Sequence, residues 1–192
     1  MNYLIFIPAR GGSKSVKNKN LKLLKGKPLI SYTLNSAIEI SKLVKSDIFL
    51  STDSKKIYNY CKNKIKISNY IRPKNLANDK SNILDSIIHS VNYLKKINKN
   101  YDAVILLQPT SPARNMKELH LALKLFEKKK IESLASVCKM REHPNEIIEL
   151  KQKNLQFLLK RKNKYDQRQQ YKKFYFIDGD FYIANINFLK KN

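Results

Sequence analysis

The 192-residue sequence contains no long apolar run. Stretches such as 4–7 and 104–107 stop after a few residues, whereas a membrane-spanning helix needs ~20. An α-helical membrane protein is therefore excluded. The chain passes from Met1 straight into a short apolar stretch, without a basic lead or a small-residue cleavage site, so no signal peptide is expected. Cysteine is scarce too. Cys61 and Cys138 lie far apart with neither CxxC nor metal-ligand spacing, which points to a reduced, cytoplasmic compartment. Internal repeats, low-complexity blocks and linkers are also missing, so one domain over residues 1–192 is expected.

Acidic residues are few: 15 against 39 basic ones, for a net charge of +24. Such a charge raises nucleic acid as a partner. The lysines, however, are dispersed along the whole chain and mixed with apolar positions, the usual pattern of a solvated surface. Neither nucleic acid nor membrane is expected as a partner. Arginine is rare within the basic set, standing only at positions 10, 72, 114, 141, 161 and 168. A chain that uses lysine as its generic cation keeps arginine where a planar, forked donor matters.

Residues 3–7 form a continuous apolar run ended by Pro8 and read as a buried strand. Pro28 stands where a helix begins, and Leu29, Ile30, Leu34, Ala37 and Ile38 follow at helical spacing. Further strands are expected at 48–50, 65–67, 103–107, 134–137 and 180–184, with helical patterns around 57–61, 83–94 and 119–126. This alternation implies a mostly parallel α/β sheet covered by helices on both faces. Residues 139–175 are polar, irregular and dotted with aromatics, as an excursion from the sheet would be.

Ligands of open α/β sheets sit at the carboxyl ends of the strands. Three such ends carry unusual polar residues: 9–20, 51–53 and 108–114. The first reads Pro8-Ala9-Arg10-Gly11-Gly12-Ser13-Lys14, followed by Lys17, Lys19 and Asn20. Adjacent glycines allow close backbone approach and positive φ, backbone N–H groups in such a turn can form an anion nest, and Arg10, Lys14 and Lys19 add charged donors. A nucleoside triphosphate suits this loop. It has neither GxxxxGK[ST] nor GxGxxG, which disfavours P-loop ATPases and dinucleotide enzymes.

The opening segment, with Lys19-Asn20 and Gly26-Lys27-Pro28-Leu29-Ile30, resembles that of the acylneuraminate cytidylyltransferases (CMP-sialic acid synthetases). Arg72-Pro73 with Leu76-Ala77-Asn78-Asp79 resembles the family's second segment, and Leu106-Leu107-Gln108-Pro109-Thr110-Ser111-Pro112 with Arg114 its third. His143-Pro144, Arg168-Gln169-Gln170 and Asp178-Gly179 with Tyr182-Ile183 match later landmarks in order, so the resemblance spans nearly the whole chain.

The resemblance implies a three-layer, Rossmann-like nucleotidyltransferase fold and transfer of CMP from CTP to an acylneuraminate or related nonulosonic acid, within cell-surface glycan biosynthesis. Arg10, Ser13, Lys19 and Asn20 would hold the phosphates, with Arg10 and Lys19 as the catalytic cations. Gly11, Gly12 and Lys14 complete the nucleotide loop. Pro8 and Ala9 would line the cytidine site, near Arg72 and Ser81. Gln108 and Arg168 would bind the sugar, Mg²⁺ would be the cofactor, and 139–175 would serve a homodimer. The family's aspartate-rich metal segment follows the last motif matched here, so its ligands are not assigned; Asp53, Asp178 and Asp180 would be the substitutes, and weak or absent turnover of this chain alone, with CTP still bound, is expected. Ser15 stands where glycine is common, Asp178 where asparagine is, and Lys172 where proline is. Competing expectations are a cytidylyltransferase for another keto-acid sugar, a catalytically silent nucleotide binder, and a basic RNA-binding domain.

Overall fold

The computed structural model describes residues 1–12, 16–151, 154–159 and 172–191. They group into two compact units, Met1–Ala135 with Gly179–Asn192, and Ser136–Asp178.

The first unit is built on β1 (Tyr3–Pro8), whose residues Tyr3 to Ile7 are completely buried. Burying side chains of this size contributes ~1.5–3 kcal/mol each, which is why a continuous apolar run takes the centre of the sheet. β4 (Ser46–Ser51) and β5 (Ala103–Leu106) flank it in parallel, with Tyr3 opposite both Ser46 and Ala103. Between β1 and β4 lies a small hairpin, β2 (Leu23–Leu24) and β3 (Lys27–Pro28). Its two turn residues, Lys25 and Gly26, have φ of 48° and 77°, the left-handed pair that matches strand twist.

Because strand side chains alternate, β1 feeds two cores. Tyr3, Ile5 and Ile7 pack with α1 (Leu29–Ser41), α2 (Lys55–Lys62) and α4 (Met116–Lys128). Leu4 and Phe6 pack with Phe49, Tyr70, α3 (Ile83–Lys96) and Ile186 of α5 (Ile186–Lys191). Helices on both faces of one sheet give the expected three-layer α/β arrangement.

The sheet order is β4-β1-β5-β9-β6, with β6 at Ser133–Lys139 and β9 at Tyr175–Asn185. Its parallel part is β4-β1-β5, with β4 at the edge; β9 runs antiparallel to β5, Ala103 opposite Asn185. β9 is also longer than the strand expected at 180–184. The strand expected at 65–67 does not form. The amides of Lys64 and Ile65 both donate to Cys61 O, finishing α2, and Ile65 and Ile67 plug the core as loop residues.

The second unit contains the hairpin β7 (Ile148–Lys151) and β8 (Asn154–Phe157). Ile148 pairs with Phe157 and Leu150 with Leu155. These four apolar residues share one face, and all are exposed, Leu150 by 71%.

Candidate functional site

The carboxyl ends of β1 and β5 open, together with segment 72–86, on one cleft of about 290 Å³ in the first unit. Of the residues singled out from the sequence, Pro8, Arg10, Lys19, Asn20, Arg72, Ser81 and Gln108 line it. Ser13, Lys14 and Arg168 lie outside the described residues. Ala9 is wholly buried in the core, and its N–H donates to Ser51 O at 2.9 Å.

The loop after β1 is held by long-range hydrogen bonds. Gly11 N donates to Asp53 Oδ1 at 2.7 Å. Buried Asn20 donates through Nδ2 to Arg10 O at 2.9 Å. The expected positive φ is not the reason for the glycines: neither Gly11 nor Gly12 is among the positive-φ residues. Gly11 is required by close approach, since a Cβ there would stand 2.9 Å from Ser54 Cβ. Around Gly12 there is open space, which leaves its backbone accessible.

Arg72 forms the floor. It is 5% exposed; its Nε donates to Ser51 Oγ at 2.8 Å, its Nη2 to Ser51 O, and its N–H to Thr52 O. Burial depresses its pKa; Tyr70 and Asp53 oppose the shift, and the positive charge of Arg10 adds to it. Ser51 and Thr52 are fully buried and act as scaffold. Thr52 Oγ1 accepts from Ser54 N at 3.1 Å, which sets the N-cap of α2.

Opposite stands the segment before α3. Asn78, Asp79, Ser81, Asn82 and Ser86 line the cleft. Ser81 Oγ donates to Asn75 O at 2.9 Å, and Asn82 Oδ1 caps α3 through Leu84 N at 3.0 Å, directing the positive end of that helix into the cleft. Asp79 Oδ1 pairs with Arg10 Nη1 at 2.7 Å. Reading the residues alone gave no role to Asp79; its signal was an acid among lysines, beside Lys80, in a chain poor in acids.

Beyond Gln108, Arg114 was likewise given no role. Its side chain is completely buried. Nε donates to Asp180 O at 2.7 Å and Nη2 to Gln108 O at 3.0 Å, with the Asp180 carboxylate at 3.8 Å. Ser111 Oγ donates to Gly179 O at 2.9 Å. The Gln108 loop is thereby stapled to the backbone of β9. Gly179 has φ of 75°, a conformation that costs other residues.

A Mg²⁺ ion held by the protein would need carboxylates directed into the cleft. No group of three or more His, Cys, Asp or Glu suited to a metal occurs among the described residues. Asp79 is paired with Arg10, Asp53 receives Gly11 N–H, and Asp180 receives Asn115 N–H at 3.1 Å. Asp178, in the second unit, accepts from Ser136 Oγ. Each of these carboxylates is thus engaged by a protein partner.

A profile described as "Cytidylyltransferase" matches residues 4–191. N-acylneuraminate cytidylyltransferase of Streptococcus agalactiae serotype III is 31% identical over 185 residues, 96% of this chain and 44% of that protein. CMP-N,N'-diacetyllegionaminic acid synthase of Legionella pneumophila is 35% identical over 127 residues, 66% of this chain and 54% of that protein. The chain thus spans about half the length of these relatives. Among solved structures, CMP:2-keto-3-deoxy-manno-octonic acid synthetase complexed with CTP aligns with a TM-score of 0.71 at 16% identity, covering 100% of this chain and 77% of that one. That likeness supports the nucleotidyltransferase fold.

Proposed function

We infer the activity from one premise: the chain belongs to the cytidylyltransferase family, whose profile covers residues 4–191. The reaction we propose is transfer of CMP from CTP to an acylneuraminate or related nonulosonic acid, with release of pyrophosphate. The observation that carries it is the cleft at the strand ends, where Arg10, Lys19 and Arg72 converge with the N-terminus of α3.

In this reading the triphosphate lies along the loop after β1. Arg10 and Lys19 offset charge on its phosphates, and Gly12 allows its close approach to the backbone. Arg72, Ser81 and Pro8 shape the nucleoside end. Gln108 can donate to and accept from sugar hydroxyls through its amide, and Arg168 is assigned to the sugar carboxylate. The anomeric hydroxyl attacks the α-phosphorus in line and pyrophosphate leaves, a displacement that needs positioning and charge neutralisation. Mg²⁺ accompanying CTP would share the phosphate charge.

The apolar face of the β7–β8 hairpin, with exposed Leu158 and Phe174, supports a homodimer in which residues 139–175 meet a second copy. Light scattering should give twice the chain mass; a monomer at high micromolar concentration would refute this. CTP chemistry and the absence of any helix long and apolar enough to cross a membrane among the described residues favour a cytoplasmic setting.

The deciding experiment is pyrophosphate release with CTP and a panel of acidic sugars. Release that needs both CTP and a nine-carbon acidic keto sugar supports the reading; release with an eight-carbon keto acid alone replaces it with the related cytidylyltransferase. CTP binding without release from any sugar, at saturating Mg²⁺, makes this chain by itself a nucleotide binder and overturns its assignment as a transferase on its own; absence of CTP binding overturns the reading entirely.

A further inference from the structure

The cleft carries its own anion. Among its described lining residues, Arg10, Lys19 and Arg72 are cations and Asp79 is the one carboxylate. Arg10 Nη1 and Asp79 Oδ1 are 2.7 Å apart, although 69 positions separate them in the chain. The ion pair therefore joins the loop after β1 to the segment before α3, on either side of the cavity. Both partners remain accessible, at 36% and 42% side-chain exposure, so the bridge is open to water and to exchange.

Without a ligand the cations of the cleft repel one another. The charge of Arg10 already reaches Arg72 strongly enough to help lower its pKa. A carboxylate on Arg10 offsets that repulsion. A polyphosphate brings several negative oxygens to the same guanidinium, and it cannot settle beside Asp79 without like-charge repulsion. One anion must leave as the other arrives.

We propose that Asp79 is an internal competitor of the triphosphate: it holds Arg10 in the empty cleft, is displaced by phosphate oxygens, and so sets how much of the affinity for CTP comes from its phosphates. This rests on the nucleotide-binding reading of the cleft. The base and ribose do not enter the exchange, so a nucleoside without phosphates is indifferent to Asp79.

The test is calorimetry on the full chain, wild type and Asp79→Asn, with CTP, cytidine and inorganic tripolyphosphate as separate probes. An exposed ion pair is weak, so CTP and tripolyphosphate should bind about two- to fivefold more tightly to the variant at low salt. The gain should shrink at high salt, and cytidine binding should not change. In an Arg10→Ala background the same substitution should give a smaller gain, since the guanidinium it competes for is gone. Unchanged or weaker CTP binding by Asp79→Asn, with a wild type that binds CTP well, overturns the proposal and leaves the nucleotide reading standing: Asp79 would then orient Arg10 or touch the nucleotide directly. An equal change for cytidine, or a gain that survives in full without Arg10, also overturns it. If neither wild type nor variant binds CTP or tripolyphosphate, the nucleotide reading falls and the proposal with it.

Discussion

The two adjacent glycines of the first loop should respond to the same substitution in opposite ways. A methyl added at Gly11 would sit 2.9 Å from Ser54 Cβ and 3.7 Å from Asp53 Oδ1. Ser54 is not free to retreat. As N-cap of α2 it accepts from Ile57 N at 3.4 Å, and its own N–H is held by Thr52 Oγ1 at 3.1 Å. The loop must move instead, stretching the 2.7 Å bond from Gly11 N to Asp53. Overpacking costs ~1–3 kcal/mol, and a hydrogen bond to a charged group contributes ~1.5–3 kcal/mol. One displacement relieves the first by weakening the second, so the two do not add in full, and about 2–3 kcal/mol is expected. For a chain of this size each kcal/mol moves Tm by ~2–4 °C, giving a fall of about 4–12 °C for Gly11→Ala. Gly12 has nothing within 4 Å of an added Cβ, so Gly12→Ala should change stability by no more than ~0.5 kcal/mol. Its methyl instead occupies the space proposed for the phosphates and should weaken CTP severalfold. Thermal melts and CTP titrations of both variants decide the matter. An unchanged Tm for Gly11→Ala, or a Gly12→Ala chain that melts equally early and binds CTP normally, would refute the reasoning.

Other outcomes follow from single side chains. Lys19→Ala should weaken CTP binding by ~1–3 kcal/mol, the size of a charged hydrogen bond, and unchanged affinity in a folded variant removes Lys19 from the phosphate site. The hydrogen bond from Lys99, with a second from Tyr101, holds the Asp47 carboxyl below its ordinary range. Its folded pKa is depressed, so its stabilisation is complete above the unfolded carboxylate pKa and is lost as pH falls through the folded value. Asp47→Asn should therefore cost up to ~1 kcal/mol at neutral pH, as partly exposed pairs do, and nothing in strong acid; urea midpoints that differ equally at both pH values contradict this. Burial pushes the Cys61 thiol up to about 12, while Cys138 is only half-buried. Native chain should react with one equivalent of a thiol reagent per chain at pH 8 and denatured chain with two; two equivalents in the native state would show that Cys61 is reachable.

What was legible in the sequence was whatever depends on short-range pattern. The runs at 3–7 and 103–107 announced the central strands because residues buried on both faces have no polar partners to alternate with. The strand-end reading placed Arg10, Lys19 and Gln108 at one cleft; Arg72 came from the resemblance, and the remaining loop, 51–53, does not line the cleft but holds Arg72 through Ser51. The segment at 65–67 misled because isoleucine at alternate positions suits either a strand or a loop plugging a core. Only the hydrogen bonds to Cys61 O decide between them. The Arg10–Asp79 bridge and the clasp of Arg114 on Asp180 were not legible as contacts, since each joins residues more than 60 positions apart. For Gly11 the residue type was legible but its reason was not: the demand comes from Ser54, not from its own torsion angle.

The path of the chain through the sheet has an evolutionary corollary. It leaves the first unit along β6 and re-enters along β9, and these strands are neighbours in the sheet. Asn185 N donates to Glu132 O at 2.9 Å where they adjoin. The intervening segment is therefore an insertion whose two ends are already closed by the host sheet. Lengthening such a loop adds little closure entropy, about 0.6 kcal/mol per doubling. Relatives can thus diverge in length and sequence between Ser136 and Asp178 without disturbing the register of β1, β4 and β5, on which the cleft is assembled.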